Sequence, residues 1–376
     1  MGGSRPPAGG GRPGRRAARG GRALAEAYRV AIVGCGGRGR AHARAWRSTG
    51  CCRLVAVSDV VRESAEAFAA KEGDPAAPPR VYEDFEAMLR EARPDVVSVC
   101  TWPDTHAAIV AAAAVAGARV IFSEKPMAPT WGEARRMAES AERAGAILAF
   151  CHQRRFEAHF RTARNLLRAG AIGRLQRIET TCANLFDWGT HWFDMMHFYN
   201  DEHPASWVLG QIDVRSGHTV FGVLVEDQGV ALVHFGNGVQ GLMITGTDRP
   251  YPEVNRLIGT EGVIEVQMPD GQGRWSPVRL RGRGDADFRV PEIADADRPG
   301  PGGPEGRAAA DLLRCLQEGG EPELAAARAL RATELIFATY ESSRRRGRVD
   351  LPLGPEDSAL LAMAAAGQVG PRPAGA

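Results

Sequence analysis

Lysine is scarce in this chain, and one of its two lysines lies in a Glu-Lys-Pro segment. Of 47 basic residues only Lys71 and Lys125 are lysine, and all the others are arginine. Arginine is bulky and permanently charged, whereas lysine offers a compact ammonium group that can lose its proton when it is buried. Lys71 ends a helical segment, where an incidental role is sufficient. Lys125, between Glu124 and Pro126, is therefore the first candidate for chemistry.

A second candidate cluster extends from Asp187 to His197. In a helix over this segment, His191, Asp194 and His197 recur at intervals of three and share one face. Two chemistries are compatible with this spacing: a metal site, or acid–base catalysis by Asp187 and His191. Residues at such intervals drift around a helix, and no further ligand cluster accompanies them. We therefore expect acid–base chemistry, no metal, and a structural role for His197.

A glycine-rich motif with the spacing GxGxxG follows the first apolar run. The motif is Gly34-Cys35-Gly36-Gly37-Arg38-Gly39, and its glycines allow a tight turn and a close approach of backbone amides to a pyrophosphate. Asp59 stands 20 residues after Gly39, where a carboxylate can accept hydrogen bonds from ribose hydroxyls and repel a 2′-phosphate. The combination predicts NAD rather than NADP, although Ser58 and Arg62 leave NADP open. A plain turn or cap residue is the alternative for Asp59.

Two further segments follow the fourth and fifth apolar runs. They are Thr101-Trp102-Pro103-Asp104-Thr105-His106 and Ser123-Glu124-Lys125-Pro126. Open α/β sheets bind ligands at the carboxyl ends of parallel strands. We therefore expect these residues to contact the cofactor: Thr101, Trp102, Pro103, His106, Glu124 and Lys125. For His106, capping or local packing is an equally open alternative, and for Pro103 an ordinary turn.

The elements that must position these residues begin with an alternating pattern of strands and helices. Apolar runs cover residues 28–33, 54–58, 80–82, 95–100, 119–123 and 146–150. Helical patterns lie between them, as in a parallel sheet with crossover helices. Asp104 is expected to cap the helix that ends before Gly117, and Thr130 with Glu133 forms a capping box for the next. The fold class is therefore α/β, with a doubly wound, Rossmann-type domain first.

The pattern changes after Cys151. A helix of about residues 157–169 precedes predicted strands at 174–183, 219–225, 228–236, 239–246, 254–258 and 262–266, a series typical of a largely antiparallel sheet. Residues 268–306 are rich in Gly, Pro, Asp and Arg, which predicts a long irregular loop, and helical patterns return at 307–317 and 322–346. We divide the chain into a tail (1–24), a dinucleotide-binding domain (25–150), an α+β domain (151–350) and a C-terminal segment (351–376).

The composition is that of an ordinary globular protein, with 24% charged and 44% hydrophobic residues. No apolar run reaches the roughly 18 residues of a membrane span. Residues 1–22 hold six arginines and no acid, so the basic charge belongs to a tail that we expect to be disordered rather than an export signal. We expect neither nucleic acid nor a membrane as a partner. Seven cysteines without zinc-ligand spacing fit reduced thiols in a cytoplasmic protein.

Over about residues 28–365 the chain resembles the glucose-fructose oxidoreductase, inositol dehydrogenase and rhizopine-catabolism (Gfo/Idh/MocA) family. The resemblance rests on five features in this order: the GxGxxG motif, Asp59, the Thr101 to His106 segment, Glu124-Lys125-Pro126, and Asp187 with Gly189, His191 and Asp194. It implies an N-terminal Rossmann domain, a C-terminal domain with an open, largely antiparallel sheet, and a substrate site between them.

The resemblance also implies a catalytic set of Lys125, Asp187 and His191. His191 would take the proton of the reacting hydroxyl as its carbon gives hydride to the nicotinamide, a step that suits a histidine with a pKa near neutrality. Lys125 would hydrogen-bond the same oxygen, and Asp187 would orient the pair or hold a neighbouring hydroxyl. Arg154 and Arg155 are candidates for substrate binding, with a cofactor-phosphate contact or an interdomain ion pair equally open.

The implied function is NAD(P)-dependent transfer of hydride between nicotinamide and a secondary hydroxyl of a sugar, sugar derivative or cyclic polyol. Two alternatives stay open. One is a glycoside-processing enzyme that holds and recycles NAD, and the other is a non-catalytic dinucleotide-binding protein. Members of the family commonly pair through the open sheet, so we also expect a homo-oligomer, either a dimer or a tetramer.

Overall fold

The computed structural model describes residues 1–2, 27–246, 254–267 and 278–370. Most of the predicted disordered tail (1–24), the first part of the predicted loop (268–277) and the last six residues lie outside the described ranges. In the described part, no helix is both long enough and apolar enough to cross a membrane.

The first half of the chain builds a parallel sheet flanked by helices. Its strands β1 to β6 are Tyr28–Val33, Cys52–Ser58, Arg80–Tyr82, Val96–Val99, Val120–Ser123 and Ile147–Phe150. The helices between them, α1 to α5, are Gly37–Ser48, Arg62–Glu72, Phe85–Ala92, Pro103–Val115 and Trp131–Arg143. The strand order is β3-β2-β1-β4-β5-β6, which confirms the doubly wound prediction.

This order fixes where a ligand can bind. The central strands β4 and β5 are buried along their whole length, because helices cover both faces of a doubly wound sheet. From β1 the chain continues to β2 and β3 on one side of the sheet, and then crosses to β4, β5 and β6 on the other side. The connections that follow β1 and β4 therefore run in opposite directions from the carboxyl ends of these two strands. Ligands bind at such a switch point. The GxGxxG motif lies directly after β1, and Thr101 follows β4.

The second half builds a larger mixed sheet. Its helices α6 to α10 are Ala158–Arg168, Gly189–Tyr199, Gly303–Glu318, Ala326–Arg345 and Ala359–Ala365. The strands β7 to β16 are Leu175–Cys182, Ala205–Asp213, Thr219–Val220, Val223–Leu224, Gln228–Phe235, Gln240–Gly246, Val254–Gly259, Gly262–Gln267, Val278–Gly282 and Val349–Asp350. Eight of them form one sheet in the order β15-β14-β13-β7-β12-β11-β8-β16, and β9 with β10 forms a separate hairpin. Only β7 and β12 pair in parallel within the described sheet, so the largely antiparallel prediction is confirmed.

Three strands were missing from the sequence-based prediction, one of them the two-residue β16, and the single strand predicted at 219–225 is the hairpin β9–β10. The first is β8, part of whose edge bonds to a helix: the Gly210 amide donates to Ser342 Oγ at 2.8 Å and the Ile212 amide to Ser343 Oγ at 3.2 Å. The second is β15, which lies inside the segment predicted to be an irregular loop, so that prediction was wrong for 278–282. Buried Val278 and Leu280 alternate there with arginine, a period-2 pattern obscured by the Gly- and Pro-rich flanks.

Two local details also differ from expectation. The N-cap of α4 is Trp102, with Pro103 at the first helical position and Asp104 in the first turn, so the prediction that Asp104 is the cap was wrong. Proline favours this position because its missing amide is not needed there. In contrast, the Thr130 cap of α5 is confirmed, since its hydroxyl accepts from the Glu133 amide at 3.3 Å.

Helix α8 returns to the first sheet although its residues fall in the range assigned to the second domain. Its buried residues Ala308, Ala309 and Leu312 pack in the same hydrophobic cluster as Trp46 of α1. In the same region the Phe150 amide donates to the Leu324 carbonyl at 3.1 Å. The two halves of the chain are therefore joined by shared packing, and the chain passes between them again after the first connection that follows β6.

Candidate active site

The Glu124-Lys125-Pro126 segment follows β5, at the carboxyl ends of the strands of the first sheet, and faces the second domain. The Glu124 amide still donates to the Val99 carbonyl of β4 at 2.8 Å, so the sheet holds the start of the segment. The Lys125–Pro126 peptide bond is cis. Lys125 Nζ donates to Asp187 Oδ1 at 2.5 Å and to the Asp187 carbonyl at 3.2 Å. The two residues that sequence reasoning selected from different halves of the chain are thus in direct contact.

Asp187 is held in place by its own loop. Its amide donates to Asn184 Oδ1 at 2.7 Å, and the Leu185 amide donates to the buried carboxyl group of Glu226 at 2.6 Å. These bonds fix the backbone on the N-terminal side of Asp187. Its side chain keeps 15% exposure, so a substrate oxygen can still approach it.

Glu226, which anchors this loop through the Leu185 amide, is fully buried. Besides the Leu185 amide, it accepts hydrogen bonds from Thr245 Oγ1 at 3.0 Å and Tyr340 Oη at 2.9 Å. Burial without a cationic partner raises the pKa of Glu226 to about 7, although these hydrogen bonds pull in the opposite direction.

His191 lies in the first turn of α7, beside the Lys125–Asp187 pair. It is 3% exposed, and its Nδ1 has no hydrogen-bond partner among the described residues. Burial, followed by the positive charges of Lys125 and Arg154, holds the pKa of His191 well below its usual range. The expectation of a pKa near neutrality was therefore wrong for this arrangement. The imidazole is neutral at pH 7 and able to accept a proton.

Glu124 is a buried anion rather than an exposed ligand. Its Oε1 contacts Arg38 Nε at 2.6 Å and His42 Nε2 at 3.0 Å. Burial raises the pKa of this carboxyl group, but His42 and Arg38 outweigh it and lower the pKa to about 2. Arg38 also reaches Glu305 at 3.0 Å. The side chain of the GxGxxG arginine therefore ties the glycine-rich turn to the catalytic segment.

His106 connects the two segments that follow β4 and β5. It is fully buried, with Nε2 3.2 Å from the Thr101 carbonyl and Nδ1 3.1 Å from the Pro126 carbonyl. This favours the local-packing alternative over a direct cofactor contact. The ring holds the backbone of Thr101 and Pro126 close together, so the segments that follow β4 and β5 are tied to each other.

A cavity of about 470 Å³ lies above the carboxyl ends of β1, β2 and β4. Its lining includes Gly34, Gly36, Asp59, Thr101 and Trp102 from the predicted cofactor segments, whereas Glu124 and Lys125 are not part of it. A Cβ at Gly34 would lie 2.6 Å from the Cys100 carbonyl oxygen, and one at Gly39 would lie 2.2 Å from the Gly34 oxygen. At Gly36 and Gly37 a Cβ would meet nothing within 4 Å. Gly34 and Gly39 are therefore required because a side chain there would clash with the backbone. Gly36 and Gly37 leave the backbone open to a phosphate.

Asp59 combines both roles that the sequence left open. Its Oδ2 accepts from the Cys35 amide at 2.8 Å and its Oδ1 from the Val61 amide at 3.0 Å. The carboxylate thus braces the glycine-rich turn while it lines the cavity. A ribose hydroxyl can still donate to its remaining lone pairs. Gly34, Gly36 and Asp59 together fit a dinucleotide bound with its pyrophosphate at the N-terminus of α1.

The two arginine candidates have different surroundings. Arg155 is fully buried and donates Nε to Asp194 Oδ2 and Nη2 to Asp194 Oδ1, both at 2.8 Å. Its Nη1 reaches Glu202 at 2.6 Å and Glu323 at 3.1 Å. This favours the ion-pair alternative over substrate binding. Arg154 lies over the rings of Trp188 and Trp192, 5.2 and 5.0 Å from their centroids, and stays a substrate-binding candidate.

The face shared by His191, Asp194 and His197 does not assemble a metal site. Asp194 is saturated by Arg155, and His197 Nδ1 lies 3.3 Å from the His203 carbonyl. Within the described residues, a metal-ligand grouping occurs at His42, Glu124 and Cys151. The Arg38 guanidinium already donates to the last two, so a cation occupies that position.

Sequence reasoning missed His42, His152, Asn184 and Glu226. His42 lies one helical turn after Arg38, a spacing that could have linked both to one anion. His152 stacks edge-on against His191, with ring centroids 5.5 Å apart, and contacts Thr190 Oγ1 at 3.0 Å. Nothing in the local sequence marks Asn184 or Glu226, because their partners are brought to them only by the tertiary fold.

Two family models match the chain. One, described as an oxidoreductase family with an NAD-binding Rossmann fold, covers residues 28–152, and the GFO/IDH/MocA C-terminal domain covers residues 183–265. Together they span more than half of the chain and contain Lys125, Asp187 and His191. The chain belongs to the Gfo/Idh/MocA family. This Gfo/Idh/MocA protein is an oxidoreductase, and its first domain is an NAD-binding Rossmann domain.

Curated relatives and solved structures agree with this assignment. D-apiose dehydrogenase of Paraburkholderia graminis is 27% identical over 86% of this chain and 90% of its own length. Inositol 2-dehydrogenase of Rhizobium meliloti is 32% identical over 47% of this chain and 56% of its own length. A levoglucosan dehydrogenase solved with NADH and levoglucosan has a TM-score of 0.74 at 20% identity, over 87% of this chain and 100% of that chain. At that identity the structure supports the shared fold alone.

Proposed function

We propose that this protein transfers hydride between NAD and a secondary hydroxyl of a sugar, sugar derivative or cyclic polyol. The observation that carries the proposal is the 2.5 Å contact between Lys125 and Asp187, beside His191 and next to a cavity with the features of a dinucleotide site. The relatives named above act on sugars or inositol by their names, which supports this substrate class.

The chain's own residues divide the work on the reacting oxygen. His191 is uncharged, because burial and the charge of Lys125 lower its pKa, and its Nδ1, unpartnered among the described residues, leaves a ring nitrogen available for the proton of the hydroxyl. Lys125 donates a hydrogen bond to the same oxygen and stabilises the negative charge that develops there. Asp187 holds the Lys125 ammonium group in place. NAD, when bound, supplies the hydride acceptor.

We also propose NAD rather than NADP as the cofactor. Asp59 is a carboxylate in the cavity, where a 2′-phosphate would be repelled. The function that we propose first is oxidation of the substrate by NAD that is released as NADH after each turnover. The second is a glycoside-processing enzyme that retains and recycles NAD and uses the same three residues. A non-catalytic dinucleotide-binding protein has no use for the Lys125–Asp187 contact, which argues against it.

The decisive experiment follows NADH absorbance with purified protein across sugars, inositols and sugar acids. We expect reduction of NAD with at least one member and a much lower rate with NADP. The Lys125→Met variant is the matched control and should not reduce NAD. If wild type shows no turnover but NAD survives gel filtration with the protein, oxidation with release of NADH is excluded, and the recycling and non-catalytic alternatives remain. Protein that neither binds NAD nor reduces it contradicts both.

We propose that the protein forms a homo-oligomer through the open face of its second sheet. Leu209, Val230 and Ile244 lie on the neighbouring strands β8, β11 and β12, and each is more than 40% exposed. Contiguous apolar surface of this kind marks an interface.

A cytoplasmic location is likewise a proposal, supported by seven cysteines that are all free thiols in the structure.

A further inference from the structure

The short hairpin β9–β10 projects from the second domain and has a defined tip. Its strands pair Val220 with Val223 and Thr219 with Leu224. Phe221 and Gly222 connect them, with φ values of 50° and 76°, as in the two-residue turns whose twist matches that of the strands. The tip therefore presents a large aromatic residue in a fixed position.

The base of the hairpin is anchored on both sides. The Val225 amide donates to the His218 carbonyl at 3.0 Å. On the preceding side, the amides of Arg215 and Ser216 donate to Asp227 Oδ2 at 2.5 and 2.9 Å. With its base fixed in this way, the hairpin is an arm of defined direction rather than a free loop.

The arm connects the two sides of the active site. Its residues Val223 and Val225 pack against buried Phe186, which directly precedes Asp187. At the other end, a Cβ built on Gly222 would lie 3.7 Å from the indole ring of Trp102. Trp102 belongs to the segment that His106 ties to Pro126. The hairpin therefore extends from the catalytic loop of one domain to the cofactor segment of the other.

The tip and its contact leave aromatic surface open to solvent. Trp102 is 60% exposed and Phe221 is 39% exposed. These are the large hydrophobic residues exposed on the two sides of this contact. Trp102 lines the cofactor cavity and is exposed beyond it, beside the turn that carries Phe221. Two exposed aromatic side chains on adjoining segments favour a ligand with an apolar face or ring of its own.

We propose that Phe221 and Trp102 form an outer subsite for the apolar aglycone of a glycoside, while Lys125, Asp187 and His191 act on its sugar ring. This inference rests on the proposed function and specifies its substrate class. A hydroxyl held by Lys125 places the reacting ring at the catalytic segment. The hairpin tip lies against Trp102, so we expect a substituent carried beyond the reacting ring to occupy the subsite, which a free monosaccharide or inositol would leave empty.

The test compares a methyl glycoside with the phenyl glycoside of the same sugar. Wild type should show a higher kcat/KM for the phenyl glycoside, because burying an apolar ring contributes about tenfold or more in discrimination. Phe221→Ala should lower the phenyl-to-methyl ratio of kcat/KM about tenfold, and Phe221→Tyr should restore it. Alanine and tyrosine both have a Cβ at this positive φ, so the two variants share the same backbone strain. Val115→Ala, which trims an 86% exposed side chain at the far end of α4, should leave the ratio unchanged.

Failure of this inference and failure of the proposed function give different results. A wild-type ratio near one, or a ratio unaffected by Phe221→Ala, overturns the aglycone subsite while sugar oxidation stands. If no sugar reduces NAD, the proposed function fails, and the aglycone subsite is then tested by measuring the binding of the phenyl glycoside. Saturation-transfer NMR with NAD-loaded protein should then show contact to the phenyl protons in wild type and its loss in Phe221→Ala. Equal signals in both proteins overturn the subsite.

Discussion

Two ion pairs lie close together at the junction of the domains and differ in almost every physical respect. In the Arg155–Asp194 pair the side chains are 0% and 1% exposed, and two further glutamates contact the guanidinium. In the Lys125–Asp187 pair they are 16% and 15% exposed, and one carboxylate is the partner. The first pair has its hydrogen-bonding capacity satisfied by protein. The second keeps capacity that a substrate can use.

The difference separates support from chemistry. A buried charge that is fully paired resists change, because removal of one partner leaves the other uncompensated in a medium of low dielectric. A catalytic pair must be able to exchange a partner as the reaction proceeds. Arg155 fixes Asp194 on α7, the same helix that carries His191. The saturated pair thereby positions the helix on which the open site depends.

The largest effect is expected when the saturated pair is broken. Arg155→Met keeps an unbranched apolar stem but removes the guanidinium and leaves Asp194 buried without its cation, which should lower the free energy of unfolding by about 3–5 kcal/mol. The matched variant Lys125→Met should lower it by only about 1–2 kcal/mol. Urea denaturation of both variants measures the difference. Equal losses of stability would mean that the two pairs are not physically distinct.

Sequence reasoning selected both residues of the open pair and left the role of Arg155 undecided between substrate binding and an ion pair. Lys125 follows a strand that its apolar run marks, Asp187 and His191 stand in a cluster of reactive residue types, and the family resemblance joined the three into one catalytic set. Arg155 carries the same charge as Arg154, and only the tertiary fold decides that one meets three carboxylates and the other lies over two indole rings. A sequence contains no direct record of such burial.

The same limit explains the other discrepancies. The low pKa of His191 comes from burial and from cations that are distant in sequence. Strand β8 was missed because its apolar residues do not alternate with polar ones: Val208 is buried, but the next residue, Leu209, is apolar and 44% exposed. The parallel sheet was predicted nearly to the residue, because its strands have continuous apolar runs with clear helix boundaries between them.

Glu226 offers an intermediate case between the two pairs, since it is buried like Asp194 but has no cationic partner among the residues that the structure describes. Its pKa is raised from 4.5 to about 7, so between these pH values the folded protein keeps a proton that the unfolded chain releases. Stability contributed by this group is therefore present below pH 4.5 and lost as the pH rises through about 7. In Glu226→Gln that loss should disappear, a relative change of roughly 3 kcal/mol across the window.

Thermal and urea unfolding from pH 4.5 to 8 measures this difference between wild type and Glu226→Gln. The exposed residue Glu63 of α2 provides the control, since Glu63→Gln should leave the pH dependence of wild type unchanged. A Glu226→Gln profile parallel to that of wild type would show that the carboxyl group is compensated in some other way. Glu226 would then resemble Asp194, whose buried carboxylate is compensated by its partners.

The smallest change, and the one that defines the open pair most sharply, is Lys125→Arg. The variant keeps the positive charge and can keep the contact with Asp187, so stability and NAD affinity should stay near those of wild type. However, a planar guanidinium is larger than an ammonium group and directs its donors along fixed axes, so it should not reproduce the bond to the reacting oxygen. We expect kcat to fall about 10²-fold or more. Turnover equal to that of wild type would mean that Lys125 contributes only charge, and the pair would then be structural, like Arg155 and Asp194.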